Sequence, residues 1–299
     1  MKKALVLFLF HVLSVFPLSA FAEDPTVNQP MIVRYASPPG HAFLHVYKVE
    51  LITRALEVTR PEFGDYQLKE FNGDNPNDQR RIVLINDGQL VNVLWAPSGS
   101  LVTKAEVIEI PFDVLHGLLG YRICLRNATA PSMLDNVNTL QDLQKIRIGQ
   151  GEEWPDIDIY EANQIKPILA PTLRSLFDML GYKRFDCLPF GANEAAYVVD
   201  QQKVPYPFLT LDDQLLIYYE FKIQFYVSNR YPEIAKRLTL GIQKLQKTGE
   251  WDRIFRKYHA EDLKALNLKK RRVICLKSPF VDRVDQCTQP IKYPDEWIE

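Results

Sequence analysis

After residue 22 the sequence has no second long apolar run, and nothing in it approaches the roughly 20 uncharged residues that a membrane-spanning helix requires. It has no C-x-x-C pair, no H-E-x-x-H helix and no G-x-S-x-G elbow, so zinc binding, dithiol redox chemistry and serine hydrolysis lack a motif. His41 and His45 stand one helical turn apart, but no carboxylate motif completes a metal site around them. The chain also lacks an excess of basic charge, with 36 Lys and Arg against 37 Asp and Glu, which argues against a nucleic-acid partner.

Lys2 and Lys3 precede an apolar run over residues 4–16 that is broken only by His11 and Ser14. Pro17, Ser19 and then Ala20-Phe21-Ala22 follow, the pattern of a secretory signal peptide cleaved before Glu23. A retained membrane anchor is the alternative reading, which the helix-breaking Pro17 and the A-x-A ending disfavour. No cysteine follows the run, so no lipid anchor is expected. Losing Lys2 and Lys3 from 36 basic residues leaves 34 against 37 acidic ones, a net charge of −3 on a soluble mature chain. The expected location is the periplasm.

Of the four cysteines, Cys124 and Cys187 sit in apolar, strand-like segments and read most simply as small buried hydrophobes. Cys275 and Cys287 lie in a polar tail, where an oxidising compartment permits a disulfide.

With 46% apolar residues the chain can bury a sizeable core, and its pattern alternates strand and helix. Residues 31–36, 66–71 and 90–96 read as strands and 43–59 and 77–87 as helices, a βαβαβ unit with a parallel sheet. A linking strand at 118–126 leads to a second α/β unit. Its strands are expected at 145–150, 166–169 and 184–188, and its helices from 139 and at 156–163, 172–180 and 193–201. Residues 215–227 read as one long aromatic strand, 232–247 and 251–259 as helices, and everything from 269 as an irregular tail.

Several segments carry a likeness to a known family. Residues 85–95 resemble its helix, glycine turn and strand, with Asn92 where Asp is usual, and residues 110–122 resemble the segment that leaves the first lobe. Residues 140–151 and 172–186 are similar to its second-lobe entry and following helix, and 232–238 with 249–258 to its terminal helices. The chain thus resembles the family 3 extracellular solute-binding proteins over nearly all of residues 31–260. The resemblance implies an α/β protein with the two-lobed type II periplasmic binding protein fold, each lobe a mainly parallel sheet flanked by helices. The expected organisation is signal peptide 1–22, lobe one 23–118, lobe two 119–215, a return to lobe one over 216–268, and a tail over 269–299.

In such a fold the ligand lies at the carboxyl ends of the parallel strands. That rule selects the loops 37–41, 95–100, 151–155 and 189–194, and with the linking strand gives Ser37, Trp95, Ser98, Ser100, Tyr121, Arg122, Trp154, Asn193 and Glu194 as candidate ligand-binding residues. Tyr121 and Arg122 alternate faces, so at most one points inward. Arg122 reads either as an anion clamp or as one half of an ion pair with an acidic neighbour. Amino-acid-binding members of the family carry an arginine after the third strand that grips the ligand carboxylate. Residues 98–106 hold only Lys104 in its place, and a lysine cannot reproduce bidentate recognition.

The resemblance implies capture of a small polar solute by a monomer that closes about hinges near 118–121 and 215–219, for an inner-membrane ABC permease or a sensor, with no cofactor and no catalytic set. A carbohydrate hydrolase using Glu152, Glu153, Asp156 and Asp158 around Trp154 is one alternative, although carboxylates are also stabilised at a helix start. An interaction module with a degenerate cleft is another.

Overall fold

The computed structural model describes residues 29–36, 43–71, 73 and 77–288; the signal segment 1–22 and Ser37 lie outside the described residues. Lobe 1 is built from β1 (Met31–Tyr35), α1 (Phe43–Glu57), α2 (Arg60–Phe63), β2 (Tyr66–Glu70), α3 (Asp78–Asp87), β3 (Val93–Pro97) and β4 (Val107–Glu109). Asn77 caps α3, its Oδ1 accepting the Arg80 N–H at 3.0 Å, and Gly88 ends it in the left-handed conformation. The chain then crosses through a 3-10 turn, Leu118–Gly120, into lobe 2.

Lobe 2 holds β5 (Tyr121–Asn127), α4 (Leu140–Leu143), β6 (Gly149–Gly151), α5 (Asp156–Ala162), β7 (Ile168–Ala170), α6 (Leu173–Gly181), β8 (Leu188–Gly191), α7 (Ala195–Gln202), β9 (Leu209–Leu211) and β10 (Leu215–Tyr218). Thr139 and Thr172 cap α4 and α6 through their hydroxyls. In its sheet the order is β12-β10-β5-β8, where β12 is Arg272–Cys275, and β9 also pairs with β5. The parallel pair β6 and β7 joins it through a bridge between Ile148 and Cys187.

The expected long strand over 215–227 is two strands in two lobes. β10 pairs with β5, whereas β11 (Ile223–Ser228) pairs with β3 and β4 in lobe 1. The strand-like alternation continues through the crossing, where Tyr219 at 0% and Phe221 at 2% exposure are buried and Glu220 and Lys222 between and after them are not. The return to lobe 1 therefore begins after Tyr218. The two crossings run side by side, since the Tyr219 N–H donates to Gly120 O at 3.2 Å. A side chain at position 120 would collide with the Tyr219 carbonyl.

Lobe 1 closes with sheet order β2-β1-β3-β11-β4, with α8 (Pro232–Lys247) packed on β11 and β4 and α9 (Glu250–Leu266) packed on α1 and α8. Arg237 on α8 is fully buried and donates to Leu56 O at 2.9 Å and Gly64 O at 2.8 Å, satisfying carbonyls at the ends of α1 and α2. The stretch from 269 is not irregular throughout. Val273 and Ile274 pair in parallel with β10, a strand too short to register as a pattern beside the basic residues before it and Pro279 after it.

Cys124 and Cys187 are not free hydrophobes. Both have 0% exposure and are joined in a disulfide whose Cα atoms are 5.0 Å apart, because the end of the segment before β8 runs beside β5. Cys275 and Cys287 form a second disulfide, with Cα atoms 5.5 Å apart. With a sequence separation of 63, the first bridge constrains the unfolded chain by about 4 kcal/mol on the loop-entropy scale. The double variant C124A/C187A is expected to lose about that much stability in guanidinium unfolding, well beyond the cost of either alanine in an already reduced protein.

Candidate ligand-binding cleft

A cavity of about 450 Å³ lies between the lobes. Its lobe 1 wall comes from two helices and the end of β3: His45 and Lys48 on α1, Asp78 and Arg81 on α3, Trp95 and Pro97 on β3, and Ser100 beyond it. The lobe 2 wall is Arg122 on β5, the 151–156 segment after β6, the 170–173 segment after β7, and Pro189, Phe190, Asn193 and Glu194 around the end of β8. Phe221 and Ile223 of the second crossing line it from behind.

Trp95, Ser100, Arg122, Trp154, Asn193 and Glu194 thus share one cavity. Ser98 and Tyr121 do not line it. The Ser98 N–H and hydroxyl both reach the Lys222 carbonyl, at 2.9 and 3.4 Å, which turns the residue toward the crossing. Tyr121 takes the face opposite Arg122 and packs on Tyr218, ring centroids 4.9 Å apart. Lys104 is exposed, in the 3-10 turn Leu101–Lys104, and is not the cation nearest the cleft. That position belongs to Lys48 and Arg81, which the sequence reading passed over. Both occupy the buried stripe of their helices, Lys48 beside Leu51, Ile52 and Ala55, Arg81 beside Leu84 and Ile85, and a charge on an apolar helical stripe is the signal that identifies them.

Arg122 is 5% exposed. Its Nη2 lies 2.6 Å from Asp156, its Nε donates to the Tyr219 hydroxyl at 2.8 Å, and its Nη1 stands 3.7 Å from Glu194. The Tyr219 hydroxyl in turn donates to Asp156. Burial opposes the charge of Arg122, but Asp156, Tyr219 and Glu194 more than offset it, so the guanidinium is held above its ordinary value. The two terminal nitrogens of Arg81 are engaged in the same way, Nη1 by Asp78 at 2.8 Å and Nη2 by the Trp95 carbonyl at 2.6 Å, while Ser100 donates to Asp78 at 3.1 Å. Neither guanidinium presents an open fork to a ligand carboxylate. Lys48 is 4% exposed, and burial pulls it down to about 8 against the opposing field of Glu194 on the other lobe.

Three buried polar atoms of the lining make no hydrogen bond among the described residues: Arg81 Nε and Trp95 Nε1 in lobe 1, and Asn193 Oδ1 in lobe 2. Glu152 and Glu153 are exposed, and Asp156 is committed to Arg122, so the acidic segment does not present a matched pair of buried carboxylates. Among the described residues no group of three or more His, Cys, Asp or Glu is placed to hold a metal ion, and no helix is long and apolar enough to cross a membrane.

Solved structures match this arrangement at full probability. The GLUR0 ligand-binding core in its complex with L-glutamate superposes with a TM-score of 0.54 at 13% identity, over 78% of this chain and 99% of that one. The ancestral amino acid-binding protein AncCDT-1, described as a precursor of cyclohexadienyl dehydratase, gives 0.51 at 12% identity, over 76% and 95%. An ancestral arginine-binding protein bound to arginine gives 0.50 at 14% identity, over 76% and 97%. The chain has the type II periplasmic binding protein fold. At these identities the likeness is one of fold, and no family model and no curated protein sequence matches the chain. In the type II fold crevices form at the carboxyl ends of the strands, which is where β3, β6, β7 and β8 deliver their loops to the cavity.

Removing one member of a buried pair strands the other. R122M is therefore expected to cost about 3–5 kcal/mol in denaturant unfolding, and D156N in the same chain to recover part of it. A second expectation concerns acid. His259 on α9, 8% exposed and packed on Tyr47, is pulled down to about 3 by burial, with Lys48 and His116 adding to the effect. Its ordinary value is about 6.5, so its contribution is intact above that pH and is lost as the pH falls from there toward 3, at up to about 1.4 kcal/mol per unit. H259F should shrink the stability lost between pH 7.5 and 5 by about 2 kcal/mol, measured by urea unfolding at both values.

Proposed function

We propose that the protein is a periplasmic solute-binding protein that holds a small polar molecule between its lobes and presents it to an ABC permease or to a sensor, acting as a binder without catalysis. The observation that carries this reading is the cavity of about 450 Å³ walled by both lobes, within the size of a small-molecule site. Its composition supports the same reading: Trp95, Trp154, Phe190 and Phe221 offer apolar and aromatic surface, and a few buried polar groups are set among them. Trp154 stands edge-on to Phe190, ring centroids 5.6 Å apart, and is half-buried, so part of its ring faces the opening.

The unpaired atoms shape the expected ligand. Arg81 Nε and Trp95 Nε1 are donors and call for an acceptor on the lobe 1 side, and Asn193 Oδ1 is an acceptor that calls for an N–H or O–H on the lobe 2 side. With Arg81 and Arg122 both occupied by carboxylates, recognition proceeds through hydrogen bonds and aromatic contact rather than through a bidentate grip on a carboxylate. Closure of the lobes about the crossings near Gly120 and Tyr219 completes the site.

Thermal-shift screening of the mature chain against pools of periplasmic metabolites tests the reading. At least one pool is expected to raise the melting temperature by mass action, with quenching of tryptophan fluorescence, and W154A is expected to weaken that ligand tenfold or more, about 1.4 kcal/mol, while leaving stability nearly unchanged. If every pool leaves both signals flat, the cleft is not a solute site and the reading fails.

A further inference from the structure

Two crossings suffice to join two lobes, and this chain makes a third. Residues 267–271 leave the end of α9 in lobe 1 and enter β12 in lobe 2. Arg271 pins this passage. It is 8% exposed and donates from Nε to Leu266 O at 2.9 Å, at the end of α9, and from Nη1 to Asp212 O at 2.6 Å and Leu215 O at 3.3 Å, beside β10. One guanidinium therefore grips the last turn of a lobe 1 helix and the edge of a lobe 2 strand.

Beyond β12 the chain closes on itself through the Cys275–Cys287 disulfide. Gln286, 7% exposed, fills the ring: its Oε1 accepts the Ser278 N–H at 2.7 Å, and its Nε2 donates to the carbonyls of Ser278 and Val281 at 3.0 Å and of Arg283 at 3.2 Å. A reciprocal pair of hydrogen bonds ties the loop to lobe 2, Lys277 N–H to Asn163 Oδ1 at 3.0 Å and Asn163 Nδ2 to Lys277 O at 2.8 Å. The loop is thus internally braced and anchored at one end.

Its other side meets lobe 1 and the second crossing. The Phe280 ring stacks on Phe221, centroids 6.1 Å apart and planes 27° from parallel, and covers Gly99 in the loop after β3. Gly99 has φ +77°, and a side chain there would run into the Phe280 ring. Arg283 pairs with Glu220 of the crossing at 2.7 Å. Phe221 is itself a wall of the cleft, and the Arg122 guanidinium lies 5.2 Å from its centroid. Phe280, Phe221 and Arg122 form a continuous file from the C-terminal loop to the centre of the cleft.

We infer that residues 276–287 are a brace that sets the angle between the lobes, with Phe280 as the residue that positions Phe221 against the cleft. Rotation about the crossings at Gly120 and Tyr219 carries Gly99 away from Phe280 and strains the Arg283–Glu220 pair, so opening requires the loop to let go of lobe 1. A ligand that enters a cleft already held at its working angle gives up less freedom on binding. The brace acts on the protein with or without a solute.

Pulsed electron-electron distance measurement tests this on the full mature chain with no solute added. Spin labels go on V83C in lobe 1 and V204C in lobe 2, both strongly exposed positions, and no free cysteine competes among the described residues. The parent is expected to give one narrow distance distribution. F280A, R283A and the pair C275S/C287S should each shift the mean and widen the distribution. If circular dichroism shows that F280A has lost its fold, F280L and R283A decide the matter, since Arg283 is an exposed side chain outside the core. Distributions that match the parent in the folded variants overturn the brace, whatever the outcome of any ligand screen.

Discussion

A guanidinium taken almost entirely out of water must be met by acceptors on every side, and much of this structure follows from how Arg122 meets them. Four separate stretches of chain meet there: β5 carries the arginine itself, α5 supplies Asp156, the second crossing supplies Tyr219, and the turn after β8 supplies Glu194. An unpaired ion at that depth costs several kcal/mol, so each of these stretches is held in place by the need to satisfy the same charge. The floor of the cleft, the start of lobe 2 and the second crossing are consequently one electrostatic unit.

The lobe 1 side is organised by the same logic on a smaller scale. Asp78 and the Trp95 carbonyl close the fork of Arg81, and Ser100 turns its hydroxyl onto Asp78, so the loop after β3 is tied to the start of α3. What each lobe leaves uncommitted is a few single hydrogen-bonding atoms rather than a whole charged group. Such unpaired buried atoms are costly, and a partner that met them with matched donors and acceptors would be favoured heavily over one that left them unpaired.

Much of the fold was readable in the sequence because its elements are amphipathic and clearly punctuated. The helix over residues 232–247 runs from Pro232 to Lys247 in the structure, and β1, β2 and α3 lie within a residue or two of their expected bounds. The errors fall where tertiary pairing overrides local pattern. In the run 215–227 the polar residues Glu220, Lys222 and Gln224 fall at alternate positions, as they would along one continuous strand, so the periodicity does not mark the point at which the chain changes sheets. β12 is four residues long and owes its existence to β10 alone. Cys124 and Cys187 looked like core residues, which they also are, and only the registry of β5 beside the segment leading into β8 brings their sulfurs together. At the site, the strand-end rule located Trp95, Ser100, Trp154, Asn193 and Glu194, but Lys48 and Arg81 come from helix interiors, a source that the rule does not sample.

The threading of the chain has a consequence for how the molecule is assembled. Lobe 1 is made of residues before Gly120 and after Phe221, and the sheet of lobe 2 takes its outermost strand from residues 272–275, so neither lobe is contiguous and neither can finish until the C-terminal segment is present. As the chain emerges from its N-terminus, β1, β2 and β3 can pair with one another early but wait for β11 to complete their sheet, while lobe 2 forms in between with the Cys124–Cys187 bridge available to secure it. A protein wired in this order exposes a half-built apolar sheet for most of its synthesis and is one for which the timing of disulfide formation, as much as the final energy, decides the yield of folded molecules.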